Sequence, residues 1–304
     1  MNSFLVSAAQ AIGASSQQYP AGCLYVVATP IGNLADISLR ALHVLSLVDA
    51  IACEDTRHTQ GMLRHYGLDR PLLAVHEHNE EEMASRIAAR LKMGERIAYV
   101  SDAGTPGVSD PGARLVAACQ RAGLRCIPLP GASSVTAALS VSGAVAAGHA
   151  QGFVFMGFLD TKTTARSRQV EALAAETRSV VLLEAPHRVE ACLQALGALG
   201  GRSITIAREI SKQFEQITTL RADEAGAWLT SHENHGRGEF VIVVHPREPE
   251  GSEDTGISPQ SLKILQLLMQ ELPLKTAVKL AAEIGGEQRN ALYERALQLK
   301  QSAD

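Results

Sequence analysis

The stretch LYVVATPIGNLADISLRALHVLSLVDAIACE, residues 24–54, sets the architecture of the chain. LYVVAT (24–29) is a short apolar run rich in β-branched side chains, the pattern of a strand buried on both faces. ISLRALHVLSLV (37–48) spaces its apolar residues three and four apart, as an amphipathic helix does, and AIACE (50–54) returns to the strand pattern. Outward from this unit the alternation continues. PLLAVHE (71–77), RIAYVS (96–101) and CIPLP (126–130) read as strands, with a short helix around Gln60–Tyr66. NEEEMASRIAARLKMG (79–94) reads as a helix with Asn79 as N-cap, Glu82 three residues on, Glu80 and Glu81 as first-turn negative charges and Gly94 as the stop. Asp110-Pro111 is expected to open the next helix. Strands alternating with helices predict an α/β fold with a largely parallel first sheet.

The small, Ala/Gly-rich segment Val145–Gln151 is read as a joint between two domains. Beyond it FVFMGFL (153–159), SVVLLEA (179–185), SITIAREI (203–210), QITTL (216–220) and GEFVIVVH (238–245) read as strands, and PHRVEACLQALGALG and DEAGAWLTSHEN as helices. The close spacing of the later strands predicts a mixed second sheet. The expected organisation is an extension over 1–22, an α/β domain over 23–147, a second over 148–246, a polar linker over 247–258, and a small C-terminal helical module over 259–304. The module's length fits either a helix-turn-helix or a packing cap.

Composition narrows the function classes. The chain has 304 residues, 46% of them hydrophobic, and a formal net charge of -4. General nucleic-acid binders carry a basic balance because neutralising phosphates supplies their affinity, so any RNA contact here must be local. The five cysteines are scattered and odd in number, which argues against a disulfide framework and fits a reducing cytoplasm. No apolar run reaches the ~20 residues of a membrane span. The first 22 residues contain no Lys or Arg, against a secretory signal.

Four segments follow strands of the first sheet: TPIGNLAD (29–36), EDTRHT (54–59), SDAGTPGVSDPG (101–112) and PGASSVTAA (130–138). Open α/β sheets bind ligands outside the carboxyl ends of their strands, so one crevice can collect all four. SDAGTPGVSDPG is longer and richer in glycine than a plain connection requires. Neither GxGxxG nor GxxxxGK[ST] occurs, which argues against an NAD dehydrogenase and a P-loop NTPase. His76 and His78 have no further ligand nearby in sequence, so no metal site is expected.

TPIGNLADISLRAL, EDTRHTQGMLRHY, HEHNE, SDAGTPGVSDPGARLV, PGASSVTAAL, GFL, EAPHR and REISKQFE together resemble the ribosomal RNA small subunit methyltransferase I family, within the tetrapyrrole methylase-like superfamily. The likeness spans residues 24 to about 245, and the tail is similar too. It departs at Ala28, where the family usually has Gly, and at Asp160, where GFLP is commoner. The resemblance implies a two-domain fold with S-adenosylmethionine in the cleft between domains, and methylation of the ribose 2'-oxygen of a cytidine in the decoding region of 16S rRNA. It also implies a homodimer acting on the small ribosomal subunit. The cofactor candidates are Pro30, Asp102, Gly104, Thr105, Ser133 and Ser134. Glu54, Glu184 and His187 (with Asp55) are candidates for the general base, and Arg57, Arg188, Arg208 and Lys212 for RNA phosphate. The rivals are a methyltransferase of the same fold acting on a tetrapyrrole or protein side chain, and a non-catalytic ribosome-assembly protein.

Overall fold

The computed structural model describes residues 7–8, 18–76, 79–109, 112–144, 152–247, 257 and 259–301. The expected joint at 145–151, the cap at Asp110-Pro111, His78, and most of the extension and linker lie outside these residues. The chain divides into two compact units, Met1–Pro246 and Arg247–Asp304.

The first unit holds two five-stranded sheets. In the first, β1 (Cys23–Val27), β2 (Ala50–Cys53), β3 (Leu72–Ala74), β4 (Ile97–Val100) and β5 (Arg125–Leu129) lie in the order β3-β2-β4-β1-β5. Every pairing is parallel, with Leu24 opposite both Ile97 and Cys126. Parallel strands covered on both faces must be apolar throughout, and β2 and β4 are buried at every position. One face packs against α1 (Leu39–Leu47) and α2 (Thr56–His65) through Leu42, Leu45, Met62 and Leu63. The other packs against α3 (Glu80–Lys92) and α4 (Ala113–Arg121) through Ile87, Leu91, Leu115 and Cys119.

The second sheet is mixed. β6 (Phe153–Gly157), β7 (Ser179–Glu184), β8 (Ser203–Arg208), β9 (Gln216–Arg221) and β10 (Phe240–Val244) lie in the order β6-β7-β10-β8-β9. Only β6 and β7 run parallel; the other three pairings are antiparallel. Helices α6 (Thr163–Ala175), α7 (Val189–Leu196) and α8 (Ala225–Thr230) cover one face. The opposite face packs on α5 (Ser134–Ser142), which follows β5 of the first sheet and buries Val135 and Ala138 against Val181, Ala207 and Val241. Helix α5 therefore holds the two sheets together.

Several local expectations are revised by the folded chain. The helix expected from Gln60 begins at Thr56, because Asp55 Oδ1 accepts from the Arg57 and His58 amides at 2.7 and 3.3 Å. β3 stops at Ala74, where Asn79 turns the chain by accepting from the His76 amide and donating to the Ala74 carbonyl. Asn79 holds the N-cap position of α3 but makes no side-chain cap bond. Glu82 faces Arg86 instead, 3.8 Å away. Helix α4 is capped at Gly112, and the acid at its N-terminus comes from another helix. Glu80, 5% exposed, accepts through Oε1 from the amides of Gly112, Arg114 and Leu115 at 3.1, 3.1 and 3.2 Å. The helix expected over 223–234 closes at Thr230, and His235 folds back to stack on Trp228 with ring centroids 4.2 Å apart.

The second unit contains α9 (Pro259–Glu271), α10 (Leu274–Gly285) and α11 (Arg289–Gln301). Leu265, Val278, Ala281, Leu292 and Ala296 form its core. Among the described residues no helix is long and apolar enough to cross a membrane.

Candidate functional site

Because the first sheet is parallel, all its strands end at one edge, and the four segments singled out in the sequence meet there. After β4 the chain doubles back on the loop after β1: the Thr29 amide donates to the Gly104 carbonyl at 2.9 Å and the Gly104 amide to the Thr29 carbonyl at 3.1 Å. Thr29 Oγ1 donates to the Ser101 carbonyl at 3.1 Å, and Thr105 Oγ1 to the Ala132 carbonyl at 3.1 Å, which ties in the loop after β5. The Asp55 amide donates to Asp102 Oδ1 at 3.2 Å, which ties in the loop after β2. Gly104 sits at φ +82°, backbone that side-chain-bearing residues rarely adopt, and a Cβ there would lie 3.2 Å from Ile31 Cγ2.

This edge forms one wall of a cleft of about 500 Å3. Its floor and near wall are Ile31, Ala103–Thr105, Val108, Ser109 and the start of α5 at Ser133–Val135; the far wall comes from the second sheet through Phe158, Glu184–His187, Ile210 and Glu239–Val241. The walls are mostly apolar, with a few convergent polar groups, as small-molecule sites are. Among the described residues the lining contains two glutamates and no Lys or Arg, and both glutamates are ion-paired, Glu184 with Arg188 and Glu239 with Lys212. A mostly apolar lining of this kind suits a ligand of low net charge. Ser133 is the N-cap of α5 and lines the cleft with Ser134 and Val135, and its side chain makes no cap bond to the first-turn amides.

Of the sequence candidates, Gly104, Thr105, Ser133, Ser134, Glu184 and His187 line the cleft. Pro30 is buried behind the Thr29–Gly104 bridge, and Asp102 points to the loop after β2. Glu54 sits half-buried beside Asp102; burial foremost, then Asp102 and Asp55, pushes its carboxyl above the usual range. Asp55 is held below its usual value by the amides of Arg57 and His58.

All four candidate cations are engaged within the protein, Arg57 only loosely, with its Nε 3.8 Å from Asp55 Oδ1. The guanidinium of Arg208, a residue 8% exposed, donates to the Arg237 and Phe214 carbonyls, both at 3.1 Å, and to Gln216. Lys212 Nζ meets Glu209 and Glu239 at 2.9 and 3.0 Å, and its methylenes pack over Gly32. With the Ser211–Asp36 hydrogen bond, this closes the turn after β8 onto the loop after β1. Arg188 pairs with Glu184 at 3.1 Å and donates to the Leu159 carbonyl. Arg57 has a side chain 93% exposed.

Sequence reading missed Phe158, Ile210 and Glu239 as lining residues. GFL and REISKQFE contain the first two, but only the folded second sheet turns them toward the first. The departure at Ala28 also has a structural counterpart. A Cβ built on Gly131 would lie 2.9 Å from Ala28 Cβ and 3.3 Å from the Ala28 carbonyl oxygen. Gly131→Ala is therefore expected to destabilise the protein by roughly 1–3 kcal/mol through overpacking. In the double variant with Ala28→Gly most of that loss should return. Urea unfolding of the four proteins measures the coupling, and simple additivity would show that the two positions do not press on each other.

The family model of tetrapyrrole (corrin/porphyrin) methylases matches residues 23–226, and that of the RsmI C-terminal HTH domain matches residues 255–300. Fold and site thus define a protein of the tetrapyrrole methylase class. Cobalt precorrin-4 methyltransferase aligns with a TM-score of 0.57 at 17% identity, over 75% of this chain and 98% of that one. Uroporphyrin-III C-methyltransferase of Thermus thermophilus, complexed with S-adenosyl homocysteine, aligns with a TM-score of 0.51 at 17% identity, over 73% of this chain and 96% of that one. These likenesses show a shared fold. The chain is 47% identical over 281 residues to ribosomal RNA small subunit methyltransferase I of Pseudomonas aeruginosa, covering 91% of this chain and 98% of that protein. It is 44% identical over 279 residues to the protein of the same name from Escherichia coli O157:H7, covering 91% and 95%. The chain belongs to the ribosomal RNA small subunit methyltransferase I family.

Proposed function

We propose that this protein transfers a methyl group from S-adenosylmethionine to the ribose 2'-oxygen of a cytidine in the decoding region of 16S rRNA, acting in the cytoplasm as a homodimer on the small ribosomal subunit. The observation that carries the reading is the cleft itself: mostly apolar, bounded by glycine-containing backbone at Gly104 and, among its described lining residues, without Lys or Arg. That lining suits a sulfonium cofactor, whose charge lining cations would repel. The fold relative solved with S-adenosyl homocysteine and the names of the close relatives support the same reading.

When bound, S-adenosylmethionine supplies an electrophilic methyl group, and the protein supplies orientation and electrostatics. Gly104 and Thr105 would hold the cofactor through their backbone, with Pro30 and Asp102 fixing the two loops. Ser133, Ser134 and the first-turn amides of α5 would hold its carboxylate. Ile210, Phe240 and Val108 exclude water. His187, exposed at the rim, accepts the proton of the ribose hydroxyl. Glu184 is a brace in this scheme, since its carboxylate is 1% exposed and holds Arg188. Glu54 and Asp55 stand behind the cleft. Arg57 contacts RNA phosphate, while Arg188, Arg208 and Lys212 shape the surface around it.

The test is transfer of labelled methyl from S-adenosylmethionine to purified small subunits, followed by mapping of ribose methylation on 16S rRNA. Label at one cytidine 2'-oxygen is expected. Label on a base or a ribosomal protein, or none, overturns the reading.

A further inference from the structure

We propose that Phe158 is the platform on which the base of the target nucleotide stacks, an inference that rests on the proposed RNA 2'-oxygen methylation. A ribose hydroxyl can reach a cleft of this kind only if its nucleotide leaves the surrounding stack, and an extruded base is commonly held against an aromatic face. Aromatic residues make up only 4% of this chain. Phe158 nevertheless lines the cleft with 46% of its surface exposed.

The ring is built into place. The pairing of β6 with β7 shifts register between Phe155 and Gly157, an irregularity of the kind that re-aims a side chain beside a site. Leu159, the next residue, is 2% exposed and anchors this segment in the core of the second sheet with Val170 and Leu173. The guanidinium carbon of Arg188 lies 5.7 Å from the centroid of the Phe158 ring, within cation–π reach. Arg188 is itself fixed by Glu184 at 3.1 Å and by the Leu159 carbonyl. A half-exposed phenyl ring held this firmly loses little freedom on binding a flat partner. Phe158 and His187 both belong to the second-sheet wall, whereas the residues assigned to the cofactor lie on the first-sheet wall. The ring is thus on the side where the acceptor nucleotide would enter.

The experiment compares full-length Phe158→Ala, Phe158→Leu and Phe158→Tyr with the wild type. Initial rates are measured over a range of small-subunit concentrations, cofactor affinity by titration calorimetry, and folding by thermal unfolding. Loss of one stacking partner is expected to lower kcat/KM for subunits roughly tenfold to a hundredfold in the alanine variant. The loss should fall mainly on KM. Tyrosine should restore the value and leucine should not, because leucine keeps the apolar volume without the flat face. Affinity for S-adenosylmethionine and the unfolding temperature should be unchanged in the tyrosine and alanine proteins. Unaltered kcat/KM in Phe158→Ala overturns the platform, as does full rescue by leucine. Weakened cofactor affinity would assign the ring to the cofactor and overturn it too. If the wild type transfers no methyl to small subunits, the underlying functional reading fails and the platform fails with it; wild-type transfer with an indifferent Phe158 removes the platform alone.

Discussion

Replacing His187 by alanine should lower the turnover of small-subunit methylation by roughly 10²- to 10⁴-fold, the usual contribution of a positioned general base, while leaving S-adenosylmethionine affinity unchanged. His187 stands in the turn between β7 and α7, exposed at the rim of the cleft. The neighbouring acid is occupied: Glu184 accepts from Arg188 at 3.1 Å and from the Ala185 amide at 2.9 Å, with its side chain 1% exposed. Glu184→Gln keeps the shape and one acceptor oxygen but removes the charge. It should cost stability, since Arg188 loses its ionic partner, yet leave most of the turnover intact. Single-turnover rates, with calorimetric cofactor titrations and thermal unfolding, separate the two. A large loss of turnover in a folded Glu184→Gln protein, with His187→Ala indifferent, would transfer the role to the carboxylate.

Glu80→Ala is expected to destabilise the protein by about 1.5–3 kcal/mol, the range for hydrogen bonds to a charged group. One carboxylate oxygen receives the amides of Gly112, Arg114 and Leu115, and the alanine variant leaves those donors buried without it. Those amides begin α4, after the loop whose residues Ala103, Gly104, Thr105, Val108 and Ser109 line the cleft. Cofactor affinity should therefore fall together with stability. Glu80→Gln, which retains an acceptor, should lose less of both. Urea unfolding monitored by circular dichroism, alongside cofactor titration, provides the measurement. A Glu80→Ala protein within about 1 kcal/mol of wild type would show that water satisfies the helix end equally well.

Much of the first sheet is legible locally. Its strands are unbroken apolar runs because both faces are covered. Parallel strands must also end at one edge, so the convergence of TPIGNLAD, EDTRHT, SDAGTPG and PGASSV follows from the alternation alone. Other details depend on partners that the local pattern does not name. Glu80 is the first-turn charge that its own helix pattern predicts, and it also caps a helix more than thirty residues away. Arg208 and Lys212 read as cations for phosphate and are engaged by carbonyls and carboxylates. EDTRHT reads as a loop, although Asp55 already caps a helix starting at Thr56.

By itself the sequence determined the α/β class, the parallel first sheet, the mixed second one and the three-helix tail, because periodicity and turn residues are local properties of the chain; the family was legible only through the resemblance of its motifs. Only the tertiary structure decided which charges are braces, that Ala28 and Gly131 press against each other, and that Phe158 and His187 share a cleft wall opposite Gly104 and Ser133. These are pairings between residues far apart in the chain. They are set by packing and hydrogen-bond satisfaction across two sheets joined through α5, and no periodic pattern encodes them.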